Sequence, residues 1–336
     1  MVKQLFVNKI LTDKEVSNLE GTWITEEHIK LPIIDCDSDV YYNDNGVHKL
    51  LLKFRKNVID DELIDIGWKS YKDLAKASRG RGASAGPINV SGQYWSKRTL
   101  KETKKWSTSY LVNGKQSKMK VNNQVASNPV GFYEEMNNFS KLPCRLTHFT
   151  RTNFDKYNQG LPFIKRIDEL FEKLIPSSHK KQLERALLRD KYMIKDTAFS
   201  TVTINRNFRT ALHKDAGDYK EGFGNLTVIE RGKYQGGYTV FPQFGVGIDL
   251  RNNDFVAMDV HQWHSNTKIY ETEEDHKYNL TLPSDYKENS NVGTEGIYKP
   301  YTRLSFVCYL RENIIKCDND NVDYKFLQAS GHTKLN

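Results

Sequence analysis

The sequence predicts an α+β protein whose second half consists mainly of antiparallel strands. After Asp196, apolar and polar residues alternate with a period of two in five short runs, at 199–204, 226–229, 238–241, 246–250 and 255–258. Gly, Asn and Asp separate these runs, as turns between short strands require. Apolar residues at helical spacing precede them. We therefore expect an antiparallel sandwich or barrel with helices packed on one sheet.

Two helices are predicted immediately before the strands. The first has its apolar residues at helical spacing, and Pro176 is expected to end it. Ser177 or Ser178 can cap the second helix. His179, in its first turn, is expected to be exposed. The apolar positions are Phe163, Ile167, Leu170, Phe171 and Leu174 in the first helix and Leu183, Ala186 and Leu187 in the second.

Turn signals divide the first 140 residues into short elements. Asn43 to Gly46 predicts a hairpin, and Asn113-Gly114 is the preferred two-residue hairpin turn. Residues 79–87 are rich in Gly, Ala and Ser, which allows close backbone approach to a phosphate or to a neighbouring element. No Gly-Lys-Ser/Thr follows, so this loop is not a P-loop.

His213 and Asp215 are the first candidates for a metal site. In an extended strand, side chains at i and i+2 leave the same face, so the imidazole and the carboxylate can bind one ion. A third ligand is expected from a distant strand, and His264 lies 49 residues further on. Two His and one carboxylate form the facial triad of non-haem Fe(II) oxygenases, which leaves positions open for a cosubstrate and O2. His-x-Asp alone is a weak signal.

His261 is the alternative third ligand. It lies three residues before His264, so strand alternation would put the two on opposite faces. The small polar residues after His264 favour His264, and His261 is then a supporting or surface residue.

Arg303 and Ser305 are candidates for binding an anion. Leu304 and Phe306 mark a buried strand, so Arg303 and Ser305 share its other face. A guanidinium fork suits bidentate recognition of a carboxylate, and a hydroxyl two residues on can bind the same group. The distal carboxylate of 2-oxoglutarate would fit this site. A structural ion pair is the alternative for the arginine taken alone.

The order of these motifs resembles one known family. The segments 203–218, with its His213-Lys-Asp-Ala-Gly-Asp218, 222–229, 236–242 and 303–312 resemble the TET and J-binding-protein (JBP) family of Fe(II)/2-oxoglutarate dioxygenases, particularly its phage and bacterial-type members. A looser similarity reaches back to residues 79–87. The resemblance implies a double-stranded β-helix, or jelly roll, with helices on one sheet. It implies Fe(II) held by His213, Asp215 and His264, and 2-oxoglutarate anchored by Arg303.

The implied activity is oxidation of the 5-methyl group of a pyrimidine, thymine or 5-methylcytosine, in DNA to hydroxymethyl. The alternatives are the same chemistry on RNA, a free nucleotide or a protein side chain, or a non-catalytic nucleic-acid-binding module. Nothing in the sequence distinguishes thymine from 5-methylcytosine. Asn205, Asn207 and Arg209 precede the metal motif and are candidates for contacting the base, or for fixing the turn.

Three regions are expected along the chain. Residues 1–140 form an N-terminal region, residues 141–315 the dioxygenase core, and residues 316–336 a tail. Residues 268–302 depart from the family pattern, as a long charged insertion between His264 and Arg303.

Positive charge is concentrated in a basic segment, residues 71–120. Its net charge is +10, whereas the whole chain carries +8. Trp95, Trp106 and Tyr110 lie among the charges, a mixture of phosphate contacts and stacking surfaces typical of nucleic-acid binding. A solvated basic face is the alternative. We expect phosphate contacts, with DNA the favoured partner, from Lys97, Arg98, Lys101, Lys104 and Lys105.

Composition indicates an intracellular enzyme, in the cytoplasm of a bacterial or phage-infected host or in a nucleus. No apolar run approaches the ~20 residues that a membrane span needs, and the first residues lack the pattern of a signal peptide. The four cysteines are sparse and widely spaced, so a disulfide scaffold is not expected, and all four are expected to be reduced. No protein partner can be inferred.

Overall fold

The computed structural model describes residues 1–74, 77–91, 95–103, 106, 108–117, 120–135, 142–287 and 299–318. It has the predicted α+β character, with one large sheet and three small ones. The helices are α1 Asp13–Asn18, α2 Asp61–Tyr71, α3 His148–Thr152, α4 Phe154–Gln159, α5 Leu161–Leu174, α6 Pro176–Leu187 and α7 Glu273–Leu280.

The strands of the first half are β1 Lys3–Val7, β2 Ser38–Asp44, β3 Val47–Arg55, β4 Ala77–Ser78, β5 Thr99–Thr103, β6 Thr108–Val112, β7 Lys115–Gln116, β8 Val125–Tyr133 and β9 Arg145–Leu146. Those of the second half are β10 Thr201–Arg206, β11 Gly224–Arg231, β12 Gln235–Gly236, β13 Thr239–Phe241, β14 Val246–Ile248, β15 Phe255–Met258, β16 Ser265–Asn266, β17 Ile269–Tyr270 and β18 Thr302–Tyr309.

The large sheet has the order β1-β2-β3-β15-β11-β18-β10-β8-β4, with β9 paired to β8. All its described pairs are antiparallel except β1 with β2. In this order β15, β11, β18 and β10 form a central block between strands from before residue 140, so the expected N-terminal region and core share one hydrogen-bonded sheet. The three-region division stays a prediction about sequence organisation.

Each face of the large sheet covers its own apolar core. On one face, α2 and α5 pack against the strands, with Trp68, Phe163 and Phe306 in one cluster. On the other face, Leu52 and Val256 pack against Phe241 of the three-stranded sheet β14-β13-β16. The alternation of apolar side chains along β11, β15 and β18 therefore supplies both cores. Burial of these side chains on both faces holds the sheet between two layers.

The predicted turns and strands lie where the sequence places them. The hairpins at 43–46 and at Asn113-Gly114 are observed as β2–β3 and β6–β7. Asn45 and Asn113 adopt positive φ, which asparagine tolerates better than most residues. The five alternating runs correspond to β10, β11, β13, β14 and β15.

The second predicted helix differs in its start and in its buried face. Pro176 begins α6 rather than only ending α5, because its fixed φ suits the first position of a helix. Neither serine caps the helix. His179 is buried, not exposed as predicted, and its Nε2 lies 3.1 Å from Asp168 Oδ2. Leu187 is 60% exposed because the inner face consists of His179, Gln182 and Ala186 instead.

The expectation that all four cysteines are reduced was wrong. Cys144, just before β9, and Cys317, after β18, form a disulfide across a sequence separation of 173 residues. Cys36 and Cys308 are free. Cys317 belongs to a small apolar cluster with Leu146 and Ile314, and this packing brings the two distant segments together.

The segment 268–302 is an integral part of the fold where it is described. It includes β17, which pairs with β12, and α7. Asn279 of α7 is fully buried and bonds both backbone groups of Lys233, each at 2.7 Å. Residues 288–298 of this segment and residues 319–336 of the expected tail lie outside the described residues. No helix in the described part of the chain is both long and apolar enough to cross a membrane.

Candidate metal centre and cosubstrate cavity

His213, Asp215 and His264 form a cluster of possible metal ligands. One ligand atom from each lies within 4.8 Å of the others. Asp215 Oδ1 is 3.5 Å from His213 Nε2, and its Oδ2 is 3.8 Å from His264 Nε2. Two imidazoles and one carboxylate with an open side are the donor set of a facial triad.

The backbone places these ligands at the end of a short bridge rather than in a continuous strand. His213 pairs with His264 in an isolated antiparallel bridge, and β16 begins directly after His264. Asp215 follows in an extended segment whose N–H donates to the Val260 carbonyl at 3.1 Å. The turn that follows β10 therefore brings the His-x-Asp motif to β16.

Hydrogen bonds fix the orientation of both imidazoles. His213 Nδ1 lies 2.8 Å from the carbonyl of Ala211, and His264 Nδ1 lies 2.9 Å from that of Gln262. A carbonyl only accepts, so in each neutral ring Nδ1 carries the proton and Nε2 keeps a lone pair for a metal. Burial lowers the pKa of His264 to about 4, which keeps that ring neutral.

His261 lies in a turn and points elsewhere. Its Nε2 is 3.1 Å from the Tyr219 carbonyl, and it is outside the cluster of ligand atoms. The structure therefore brings together His264, and not His261, with the His-x-Asp motif. The ligand roles themselves remain a proposal.

Arg303 reaches the same cavity from β18. The cavity is about 110 Å³ and is lined by the three candidate ligands and by Arg303, Ser305, Val307 and Tyr309. Leu304, Phe306 and Cys308 face the opposite way, into the helix-covered core. This is the alternation that the sequence predicts for the strand.

The guanidinium of Arg303 is buried, and its charge acts on Glu230, which lies opposite it on β11. Arg303 is 2% exposed, and its Nε and Nη2 have no hydrogen-bond partner within the described residues. Buried donors without an acceptor are costly, so the site favours an anion that can accept from them. A carboxylate fits a guanidinium fork. The residues present therefore fit both Fe(II), at the His/Asp/His cluster, and the distal carboxylate of 2-oxoglutarate, at Arg303.

Asn205 and Ser305 form a polar pair beside Arg303. They lie opposite each other on β10 and β18, and Asn205 Nδ2 donates to Ser305 Oγ at 3.2 Å. Ser127 donates to Asn205 Oδ1. Both Asn205 and Ser305 line the cavity, whereas Asn207 and Arg209 make protein contacts. Arg209 stacks on Trp23 and donates to the Ile24 carbonyl at 2.8 Å.

A second, larger cavity of about 830 Å³ opens beside the ligand cluster. The two cavities adjoin, because both are lined by Arg81, Ser84, His213, Asp215, Asp218 and Tyr309. We refer to the larger one as the groove.

Asp218 and Tyr309 are wall residues that the sequence interpretation missed. Asp218 is 8% exposed, and its Oδ2 has no hydrogen-bond partner among the described residues. Burial, and then the charge of Asp215, raise its pKa well above the usual range. Burial also raises the pKa of Tyr309, whose hydroxyl receives a hydrogen bond from Arg311. Alternation from Arg303 was a signal that could have identified Tyr309.

Three of the five basic residues predicted to contact phosphate lie within the described part of the chain. Lys97 and Lys101 are exposed, and Arg98 stacks on Tyr110 with 5.5 Å between the guanidinium carbon and the ring centre. Lys104 and Lys105 lie outside the described residues. Trp106, from the same segment, lines the groove.

Residues 128–312, more than half of the chain, match the family model of the TET/JBP oxygenase domain of the 2OGFeDO superfamily. The chain belongs to the TET/JBP family. The matched residues include all three candidate ligands and Arg303. Fe(II) and 2-oxoglutarate are the metal and cosubstrate that give this oxygenase superfamily its name.

Curated relatives match between 54% and 60% of the chain. The bifunctional helicase and thymine dioxygenase JBP2 of Leishmania braziliensis is 31% identical over 186 residues, which is 55% of this chain and 14% of that protein. JBP2 of Trypanosoma brucei brucei is 31% identical over 205 residues, 60% of this chain and 16% of that protein. Thymine dioxygenase JBP1-A of Trypanosoma cruzi is 31% identical over 181 residues, 54% of this chain and 19% of that protein.

The chain thus spans less than a fifth of the length of these relatives. Among solved structures, NgTET1 in complex with 5mC DNA superposes with a TM-score of 0.49 at 9% identity, covering 96% of this chain and 100% of that one.

Proposed function

We propose that this chain is an Fe(II)/2-oxoglutarate-dependent dioxygenase that oxidises the 5-methyl group of thymine or 5-methylcytosine in DNA to hydroxymethyl. The observation that carries the proposal is the meeting of two features in one cavity. These are the His213, Asp215 and His264 cluster and the buried guanidinium of Arg303, whose Nε and Nη2 have no hydrogen-bond partner in the described part of the chain. The names of the curated relatives, thymine dioxygenases, support the substrate class.

His213 Nε2, His264 Nε2 and a carboxylate oxygen of Asp215 would hold Fe(II). Arg303 would anchor the distal carboxylate of 2-oxoglutarate, and the Ser305 hydroxyl would donate to the same group. When bound, the iron and cosubstrate supply the oxidation, in which O2 and 2-oxoglutarate yield succinate, CO2 and a hydroxylated methyl group. The protein contributes binding, orientation and exclusion of water.

The groove supplies the place for a base. A methyl group inside a duplex cannot reach a buried metal site, so the nucleotide would be flipped or single-stranded. The Tyr309 ring offers a stacking surface. Asp218 Oδ2, which has no hydrogen-bond partner among the residues that the structure describes, offers a hydrogen-bonding group for the edge of a pyrimidine. Both residues lie on the wall that the groove shares with the metal cavity, which would direct the methyl group towards the ligands.

The basic segment would contact the phosphates of the same strand. Lys97 and Lys101 are exposed on or beside β5, and Trp106 connects that small sheet to the groove. The main-chain carbonyl of Trp106 accepts a hydrogen bond from Asn122 at 2.6 Å, which holds the segment at the groove. This arrangement favours a polynucleotide over a free nucleotide.

We also propose that the large sheet and the β14-β13-β16 sheet together form a double-stranded β-helix. The support is that they pack face to face around one apolar cluster, with the ligand bridge at the edge of the smaller sheet.

The test is product analysis on defined substrates. The protein is incubated with Fe(II), 2-oxoglutarate and ascorbate. Separate arms contain DNA with thymine, DNA with 5-methylcytosine, matched RNA, or the free nucleotides. The products are digested to nucleosides, which are identified by mass. Hydroxymethylated pyrimidine in the DNA arms, absent with Asp215→Ala, is the expected result. Product only in the RNA arm or only in the nucleotide arm would show that RNA or the free nucleotide, and not DNA, is the substrate. No product and no succinate in any arm would favour the non-catalytic alternative.

A further inference from the structure

We propose that Asn207 positions Arg303 for the cosubstrate by holding the backbone of β18 at the residue that carries the guanidinium. Asn207 is then a positioning residue, in place of the base contact predicted for it. The inference rests on the proposed role of Arg303 as the anchor of 2-oxoglutarate.

Three hydrogen bonds join Asn207 to the backbone at the start of β18, two to Arg303 and one to Tyr301, the residue just before the strand. Its Oδ1 accepts from the Arg303 N–H at 2.7 Å, and its own N–H donates to the Arg303 carbonyl at 2.9 Å. Its Nδ2 donates to the Tyr301 carbonyl at 3.1 Å. The regular ladder between β10 and β18 ends with Arg206 opposite Leu304. Asn207 thus continues the ladder past the end of β10, with its amide in place of the next peptide group.

The backbone of Asn207 explains why an asparagine stands there. Its φ is +44°, in the left-handed region, so the chain turns away from β18 while the side chain points back to it. Asparagine tolerates this region better than most residues with a side chain. Its amide has both a donor and an acceptor, and the two backbone groups of β18 require one of each.

Fixing the backbone matters because little else fixes the end of the Arg303 side chain. Its Nε and Nη2 have no partner within the described part of the chain. Gly237 lies close beside it, since a Cβ at Gly237 would be 3.7 Å from Arg303 Nε and 3.5 Å from the Tyr234 ring. The fork therefore takes its position from its Cα and from packing. A displacement of about 1 Å at such a site costs much of its binding.

The test compares two asparagines with the same backbone conformation. Asn207→Gly keeps the positive φ without strain and removes the amide. Asn253→Gly is the matched control, because Asn253 also has positive φ (+68°) and its Nδ2 also bonds a carbonyl, that of Ile59 at 2.7 Å. Asn253 does not line the metal cavity or the groove. Asn207→Asp keeps the acceptor for the Arg303 N–H and loses the donor.

The measurement is the affinity for 2-oxoglutarate by calorimetry, with Mn²⁺ in place of iron so that no turnover occurs. We expect Asn207→Gly to bind roughly tenfold more weakly, Asn207→Asp to fall between it and the wild type, and Asn253→Gly to bind as the wild type does. Affinity for 2-oxobutyrate, which lacks the distal carboxylate, should be the same in all four proteins.

A double-mutant cycle with Arg303→Gln separates this inference from the proposed function. If Asn207 acts through Arg303, adding Asn207→Gly to Arg303→Gln should cause no further loss of affinity. Normal affinity in Asn207→Gly beside weakened affinity in Arg303→Gln would overturn the positioning role and leave the anchor standing. An equal loss from Asn207→Gly in both backgrounds would also overturn it. Normal affinity in Arg303→Gln would remove the anchor itself, and the inference with it.

Discussion

His213 and His264 are joined by a reciprocal pair of backbone hydrogen bonds, each N–H donating to the other's carbonyl at 3.1 and 3.0 Å. Their rings lie 4.4 Å apart, between centres, on the cavity side of that bridge. The backbone pairing therefore brings the two imidazoles side by side. Removing one ligand should leave this bridge, and the fold, in place.

The first prediction concerns the ligand set. His213→Ala or Asp215→Ala should abolish succinate formation from 2-oxoglutarate while circular dichroism stays that of the wild type. His264→Ala should lose Fe(II) binding, whereas the control His261→Ala should retain it, because His261 points to the Tyr219 carbonyl. Full succinate production by either of the first two variants would contradict the ligand assignment. The reverse result for the histidine pair would transfer the ligand role to His261.

The second prediction concerns the anion site. Arg303→Lys should raise the KM for 2-oxoglutarate, because an ammonium cannot reproduce the bidentate fork. Arg231→Lys is the control: it changes an arginine at the end of β11 that pairs with Asp65 and stacks on Trp68, away from the cavity. Its KM should stay that of the wild type. An unchanged KM in folded Arg303→Lys would place the anchor elsewhere.

The third prediction concerns the basic segment. Replacing Lys97, Arg98, Lys101, Lys104 and Lys105 with Gln should flatten the salt dependence of DNA binding, because each neutralised phosphate releases condensed counterion. Activity on long DNA should fall, with little effect on 2-oxoglutarate decarboxylation in the absence of DNA. Binding at several salt concentrations tests this. If the variant with all five substitutions keeps the DNA affinity and the salt dependence of the wild type, the segment is only a solvated basic face. A free nucleotide would then be the favoured substrate.

The fourth prediction concerns the disulfide. Because Cys144 and Cys317 close a loop of more than 170 residues, the link restricts the unfolded chain strongly. Its loss should lower the free energy of unfolding by up to about 5 kcal/mol. Cys144→Ser and Cys317→Ser should each lower the Tm, and dithiothreitol should lower the Tm of the wild type but not that of the variants. Cys36→Ser, at an exposed free thiol, is the control. Equal Tm values with and without reductant would contradict the prediction.

The fifth prediction concerns pH. Burial raises the pKa of Glu230 above 4.5. The hydrogen bond from Tyr234 and the charge of Arg251 lower this pKa, but the effect of burial is larger. A carboxyl with a raised folded-state pKa contributes stability below its unfolded pKa and loses that contribution as pH rises through the folded value. Glu230→Gln cannot ionise. The free energy of unfolding of the wild type should therefore fall relative to this variant as pH rises above 4.5.

Urea unfolding at a series of pH values measures that difference. Glu62→Gln, at an exposed position of α2, is the control for the substitution itself. A difference that stays constant with pH for Glu230→Gln would mean that Glu230 has the same pKa in the folded and unfolded chain.

Local patterns in the sequence predicted the strands and the residues that share one face of a strand, because both depend on neighbouring residues. The alternating runs identified β10, β11 and β15, and the alternation around Leu304 predicted that Arg303 and Ser305 share a face. The spacing of His213 and Asp215 indicated a shared metal because the two residues are near in sequence. Choosing His264 over His261 depended on the residues around it, and the structure brings His264 to the cluster.

Contacts between segments that are distant in sequence were not predicted, because the local patterns carry little information about them. The buried pair His179 and Asp168 depends on the rotation of α6 against α5, which apolar spacing alone misjudged. The link between Cys144 and Cys317 depends on the packing of two segments 173 residues apart. No motif in the sequence marks Asp218 as a site residue. It is buried because the folded chain places it in the wall of the groove.

One strand carries both ends of the proposed active site. Arg303, Ser305, Val307 and Tyr309 alternate along the cavity face of β18, so the anchor for the cosubstrate and the ring beside the groove are six residues apart on a single ladder. At ~3.3 Å per residue, β18 sets a span of about 20 Å between them. A single inserted residue between positions 304 and 308 would turn one end into the apolar core and leave the other in the cavity. A substitution at one of these positions would leave the other in place, whereas a change in the length of β18 would separate the anchor from the groove wall.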